Sequence, residues 1–350
     1  MSWRTCRLGD VLTLKRGHDL PEHSRQDGDV PVVSSSGITG RHKEAKAIAP
    51  GVVTGRYGTI GEVFYLEEDY WPLNTALYVI DFKGNDPRFS AYFLRNVLKG
   101  YQSEKAAVPG VDRNVLHEIK VRAPSHALQL RIADLLSTYD DLIENNRRRM
   151  MLLEDSARLL YREWFVRLRF PGYEHTRIVD GVPQGWGRKT LGESVTLSYG
   201  KALKSEIRVE GEYPVYGSSG IVGSHEKPLV KGPAIVLGRK GNVGSVFWSS
   251  KSFFPIDTVY FIDPESSSLY LYYALKNMHF ISTDVAVPGL NRNFAYSRLL
   301  LHPPATLLRT FLETVTPIHA QLDKLDETNQ KLRAARDLLL PRLMSGELAV

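Results

Sequence analysis

Gly55-Arg56-Tyr57-Gly58-Thr59-Ile60-Gly61 returns as Gly238-Arg239-Lys240-Gly241-Asn242-Val243-Gly244, 183 residues further on. Upstream of this stretch the match continues at the same offset. Pro31-Val32-Val33-Ser34-Ser35-Ser36-Gly37-Ile38 answers Pro214-Val215-Tyr216-Gly217-Ser218-Ser219-Gly220-Ile221, Gly40 and His42 answer Gly223 and His225, and Gly17 answers Gly200. The Trp3, Leu8 and Gly9 opening is repeated by Trp186, Leu191 and Gly192. Downstream, Pro72 and Thr75 return as Pro255 and Thr258; after a slip of register, Ala107-Val108-Pro109-Gly110-Val111-Asp112-Arg113-Asn114 returns as Ala286-Val287-Pro288-Gly289-Leu290-Asn291-Arg292-Asn293. A unit of about 180 residues is therefore duplicated in tandem. Solenoid repeats are far shorter, so two copies mean two globular modules of one fold. A chain of 350 residues, near twice the ~150-residue domain prior, agrees.

Each unit has two parts. The first is rich in glycine, aromatics and β-branched residues. Val52-Val53-Thr54 and Ala234-Ile235-Val236-Leu237 read as buried strands, followed by strands at Glu62-Val63-Phe64-Tyr65 and Ser245-Val246-Phe247-Trp248. Apolar residues at three-to-four spacing predict helices over Phe89–Lys99 and Ser268–Met278. The fold class is α+β.

The second part is a long helix. Ile132, Leu135, Tyr139, Leu142, Asn146, Met150, Leu153, Ala157 and Leu160 step by three and four; so do Phe311, Val315, Ile318, Leu322, Leu325, Asn329, Leu332, Arg336, Leu339 and Leu343. That is the coiled-coil pattern. Pro317 is expected to delay or kink the second helix and Pro341 to end it. The first helix would be about 55 Å long and carry the chain away from the first domain. The second, running back antiparallel, would give a pseudo-twofold object with two domains held apart by a helical ruler. Asn146 and Asn329 fall on the two seams at matching positions. A seam asparagine either fixes the helix-pair register at a cost in stability or is a tolerated polar residue.

Composition narrows the function. A hydrophobic fraction of 43% and a charged fraction of 24% are ordinary for a globular chain. One cysteine, Cys6, excludes internal disulfides and cysteine-based zinc or iron–sulfur sites and points to a reducing, cytoplasmic setting. The N-terminus does not read as a signal peptide, and no apolar run reaches membrane-span length, so no membrane partner is expected. The net charge of +6 mildly favours a polyanion.

The glycine-rich stretch is neither the dinucleotide fingerprint nor a P-loop, and a strand follows it rather than a helix. It reads as a tight turn whose tip carries Arg56-Tyr57 or Arg239-Lys240, within reach of phosphates or base edges; a plain hairpin with a solvated arginine has the same pattern. Ser35 and Ser36, with Ser218 and Ser219, lie in small polar loops that suit phosphate or base contact, or a satisfied turn. Arg113-Asn114 and Arg292-Asn293 follow a Pro-Gly turn and carry the pairing chemistry for guanine and adenine, though an asparagine helix cap with a surface arginine is the plainer alternative. The arginines Arg147, Arg148, Arg149, Arg158, Arg162, Arg167 and Arg169 could line a DNA channel, or form a solvated helix face or a protein contact. For catalysis the chain is poor. The ten histidines form no tight metal spacing, His42 and His225 read as structural, and the duplicated copies share no paired carboxylates. Catalytic and metal-binding residues are accordingly expected to be absent.

Two helix-end motifs are more specific. Leu159-Leu160-Tyr161-Arg162-Glu163-Trp164-Phe165 with Arg169-Phe170-Pro171-Gly172, and Asp337-Leu338-Leu339-Leu340-Pro341-Arg342-Leu343-Met344-Ser345-Gly346-Glu347-Leu348, resemble the central and C-terminal conserved regions of type I restriction–modification specificity subunits. The resemblance covers essentially the whole chain. It implies a first target recognition domain over residues 1–125, a central conserved helix over 126–165, a linker over 166–185, a second recognition domain over 186–304, a C-terminal conserved helix over 305–343 and a tail over 344–350. It further implies that each domain reads one half of a bipartite, asymmetric double-stranded DNA site, and that the helices set the spacer. Two modification (methyltransferase) subunits would dock on the helices, with restriction/translocase subunits joining to cut. The subunit itself would be noncatalytic and hold no cofactor, S-adenosylmethionine belonging to the modification subunit. A stand-alone methyltransferase or nuclease, and a coiled-coil adaptor whose modules bind proteins, stand as the alternatives.

Overall fold

The computed structural model describes residues 3–57, 61–99, 110–280 and 289–350. Gly58, Thr59 and Ile60 of the opening motif, and the Ala107–Pro109 and Ala286–Pro288 repeats, lie outside the described residues.

The duplication is carried through to strand order. In the first copy an antiparallel four-stranded sheet runs Thr13–Arg16, Ala76–Asp81, Gly51–Gly55, Val63–Leu66; in the second it runs Ser198–Tyr199, Val259–Ile262, Ala234–Gly238, Val246–Ser249. A three-stranded sheet accompanies each: Gly37–His42, Val30–Ser34 and Trp71–Pro72, against Gly220–His225, Tyr213–Gly217 and Phe254–Pro255. The central strands Gly51–Gly55 and Ala234–Gly238 are buried throughout, which is why they read as continuous apolar runs and not as alternating ones. A two-stranded antiparallel pair closes each domain, Trp3–Arg7 with Lys120–Pro124 and Gly187–Thr190 with Leu299–His302. Each domain thus begins and ends at one place, where a long helix takes over. The expected domain helices are present as Pro87–Leu98 and Leu269–Lys276. Asp86 and Ser268 cap them, accepting from Phe89 N and Leu271 N.

The long helices are His126–Tyr161, extended by a π-turn over Arg162–Val166, and Ala305–Ser345. The chain forms two compact units, residues 1–146 with 328–350 and residues 147–327, so both helices contribute to both units. In the first unit Ile132 and Leu136 meet Leu340, Leu343 and Met344 in one core with Phe89, Phe93 and Leu94 of the domain. Asn146 contacts Asn329 and Asp140 contacts Arg336, which makes the pairing antiparallel. In the second unit Tyr161 and Phe165 pack on Phe311, Tyr270 and Tyr273.

Two expectations about the helices change. Neither proline interrupts the second helix: it begins at Ala305, passes through Pro317 and continues past Pro341 to Ser345. A mid-helix proline costs about 3 kcal/mol. Here Phe311 and Val315 before Pro317, and Leu340, Leu343 and Met344 around Pro341, are buried in the domain cores and hold the flanking turns. The seam also shifts locally. Ile143 is buried while Leu142 is 46% exposed, and Leu136 is buried beside Leu135. Near the domain a helix faces both its partner helix and the domain core, so its buried arc is wider than a two-helix seam.

Candidate nucleic-acid interface

Gly17 and Gly200 directly follow the edge strand of the four-stranded sheet. A Cβ there would stand 2.2 Å from the Leu73 carbonyl oxygen in one copy and 2.0 Å from that of Ile256 in the other, so only glycine fits. The contact presses the chain after the edge strand against the loop that leads into the strand carrying Tyr78 or Tyr260. The same loop holds the arginine tip. Arg56 N donates to the Thr75 carbonyl at 2.9 Å, and Arg239 N to that of Thr258 at 2.9 Å. The duplicated Thr75 and Thr258 therefore serve through their backbones.

The next segment is tied to the same tip. The Arg56 carbonyl accepts from Val111 N at 2.8 Å, and that of Arg239 from Leu290 N at 2.8 Å. Tyr57 bridges to Gly110 and Lys240 to Gly289. These bonds bring the start of the short helices Arg113–Glu118 and Arg292–Tyr296 beside the arginine tip. Asp112 and Asn291 cap those helices, accepting from Asn114 N and Asn293 N at 2.8 Å in both copies. Asn114 and Asn293 are thus not the caps, and with Arg113 and Arg292 their side chains are exposed. In the first domain His117 anchors the short helix, its Nε2 accepting from Leu14 N at 2.9 Å. Burial first, and the Arg113 charge second, lower its pKa and keep the ring neutral.

The serine loops behave differently in the two copies. Gly37 and Gly220 sit at φ +100° and +102°, the left-handed geometry the turn demands. In the first copy Ser34 satisfies the turn, accepting from Ser36 N and donating to the Gly37 carbonyl, while Ser36 is exposed and Ser35 half-buried. In the second, Ser218 reaches the arginine loop. Its Oγ accepts from Asn242 N at 3.4 Å and its carbonyl from Ser245 Oγ at 2.6 Å; Ser219 is exposed. The second domain therefore gathers Ser218, Arg239-Lys240 and Arg292-Asn293 around one loop.

Aromatic rings support the arginines. The Arg56 guanidinium lies over Tyr57 at 4.6 Å. Arg239 and Arg292 both lie over Tyr199, at 4.9 and 5.2 Å. Tyr199 was absent from the residues singled out by sequence, although it directly precedes the duplicated Gly200. His42 and His225 are structural in both copies, Nδ1 accepting from Gln26 N and Val209 N. Among the described residues no group of three or more histidine, cysteine or carboxylate side chains could hold a metal ion, and no helix is long and apolar enough to cross a membrane.

The two helix-end motifs pack. Phe165 and Phe170 lie 5.9 and 4.9 Å from the Trp186 ring, joining the end of the first helix to the opening of the second domain. Glu163 binds Arg167 and Arg169. At the other end Gly346, at φ +79°, lies against the Trp3 ring.

The chain is thus built of two domains of one topology, each with an arginine tip hydrogen-bonded beside a capped short helix. The chain belongs to the family described as type I restriction modification DNA specificity domain, whose model matches residues 1–154 and 183–293. The type I restriction enzyme MjaIX specificity subunit of Methanocaldococcus jannaschii is 25% identical over 277 residues, covering 69% of this chain and 63% of that protein. The EcoprrI specificity subunit of Escherichia coli is 25% identical over 141 residues, 39% of this chain and 35% of that protein. The chain thus spans under two thirds of the length of these relatives. The crystal structure of the S subunit of a type I restriction-modification system from M. genitalium shares the fold, with a TM-score of 0.59 at 20% identity over 98% of this chain and 96% of that one.

Proposed function

We propose that this chain is the noncatalytic DNA-recognition and scaffold subunit of a type I restriction–modification enzyme, each domain reading one half of a bipartite, asymmetric site. The observation that carries this is the arginine tip bonded to the short-helix segment in both copies, Arg56 to Val111 and Arg239 to Leu290. It presents Arg113-Asn114 and Arg292-Asn293 beside a second arginine, the side chains that pair with guanine and adenine edges. The copies differ at the tip, Tyr57 against Lys240, so the half-sites differ. The helices dock two modification subunits, which carry the S-adenosylmethionine, and restriction/translocase subunits join that complex in the cytoplasm. Asn146 and Asn329 set the helix-pair register and through it the spacer.

Methylome sequencing of cells expressing the chain with a cognate modification subunit tests this. A bipartite motif that vanishes on deletion of the chain is the expected result, and replacing residues 186–304 by another such domain changes one half only. Arg56→Ala weakens recognition of the other half alone. An assembled complex that leaves no chain-dependent motif and binds no DNA sequence preferentially refutes the reading.

A further inference from the structure

Arg16 and Tyr199 hold one register position in the two copies. Across the sheet Arg16 is paired with Leu77 and Tyr199 with Tyr260, and Gly17 or Gly200 follows. In the second domain the arginines around the position are Arg239, at the tip of the central strand, and Arg292, in the first turn of the short helix; Arg56 and Arg113 hold the corresponding sequence places in the first. Their support differs. In the second domain both guanidiniums lie over the Tyr199 ring. Tyr199 itself packs on buried Tyr260 with ring centroids 5.0 Å apart, and the Tyr260 hydroxyl donates to the Leu290 carbonyl at 3.1 Å. In the first domain the position is a third cation. Arg16 pairs with Asp19 at 3.8 Å, both side chains being largely exposed, and Leu77 stands where Tyr260 does.

We infer that this position meets DNA in both domains by different physics: Tyr199 is a positioning residue that orders Arg239 and Arg292 as a pair for one DNA contact, and Arg16 is itself a phosphate contact. The inference rests on the DNA-recognition reading above. Two guanidiniums repel one another, and each is drawn to the negative face of a ring. Arginines already held on Tyr199 lose less rotamer freedom when DNA arrives. Removing the ring therefore weakens binding without changing the number of cations that displace counterions. Removing Arg16 changes that number.

The test uses the full chain assembled with its modification subunit and a duplex bearing the methylated motif, with affinity measured across a salt series. Tyr199→Ala and Tyr199→Leu lose roughly tenfold in affinity with an unchanged slope of log K against log salt, and Tyr199→Phe behaves as wild type. The leucine variant keeps apolar cover on Tyr260 and so separates loss of the ring face from loss of folding. Arg16→Ala makes the slope shallower by about one and weakens all sequences alike. Wild-type affinity in Tyr199→Leu, a phenylalanine variant as weak as the leucine one, or an unchanged slope in Arg16→Ala overturns the inference while the recognition reading stands. A wild-type complex without sequence-dependent binding sinks both.

Discussion

Asn146 and Asn329 should behave as one energetic unit, and a double-mutant cycle to leucine shows it. Both are nearly inaccessible, at 8% and 1% exposure. Asn146 Nδ2 donates to Asn329 Oδ1 at 2.9 Å, and Asn329 Nδ2 reaches the Ile143 carbonyl at 3.5 Å. Leucine at either position removes the 2.9 Å bond and strands the surviving amide in an apolar seam. An unsatisfied buried amide costs about 1–3 kcal/mol, against the ~0.5–1.5 kcal/mol the hydrogen bond contributes net. Leucine at both positions strands nothing across the seam and adds apolar burial. The cycle should therefore return a coupling energy of at least about 2 kcal/mol, the sum of about 1–3 kcal/mol for the amide stranded in each single mutant, with Asn146→Leu/Asn329→Leu at least as stable as wild type. Equilibrium urea unfolding of the full chain, followed by far-ultraviolet circular dichroism, reads the midpoints at constant slope. Coupling within about 0.5 kcal/mol of zero would refute the pair as a unit. A double mutant that is stable but changes the spacer of the methylated motif would show what the asparagines contribute beyond stability.

Further outcomes follow from the same contacts. His319 is packed by Trp248, Tyr272 and Tyr273, and its Nε2 bonds the Tyr273 hydroxyl at 2.8 Å; burial lowers its pKa from 6.5 to about 4. A folded pKa below the unfolded one means stability is complete above pH 6.5 and declines as pH falls toward 4, so His319→Gln should flatten the fall of melting temperature over that window relative to wild type. Gly200→Ala places a Cβ 2.0 Å from the Ile256 carbonyl oxygen and should cost more than about 3 kcal/mol or abolish soluble expression, with Gly17→Ala behaving alike. Phe311→Ala, in the ring cluster with Tyr161, Trp164 and Phe165, should lose about 3–5 kcal/mol in urea unfolding. Leu152→Ser, 68% exposed, should shift the chain's own stability by less than about 0.5 kcal/mol.

The duplication was legible in the sequence because steric requirements recur wherever one fold is built twice. Gly17 and Gly200 are kept since a Cβ has no room against a carbonyl, and Gly37 and Gly220 since the turn needs a positive φ. The strands, both long helices and the seam asparagines followed from periodicity, which records which face of a segment is apolar. The path through Pro317 and Pro341 did not, because a proline's local cost is visible in sequence while the buried neighbours that outweigh it come from domain cores distant along the chain. The same limit hid Tyr199. Its role lies in meeting Tyr260, Arg239 and Arg292, residues up to 93 positions away brought to one ring by strand register and a capped turn. Sequence alone determined that one α+β module is built twice and where the two arginine tips lie. Tertiary structure decided which side chains share a contact, because register across a sheet depends on pairing partners that no local pattern names.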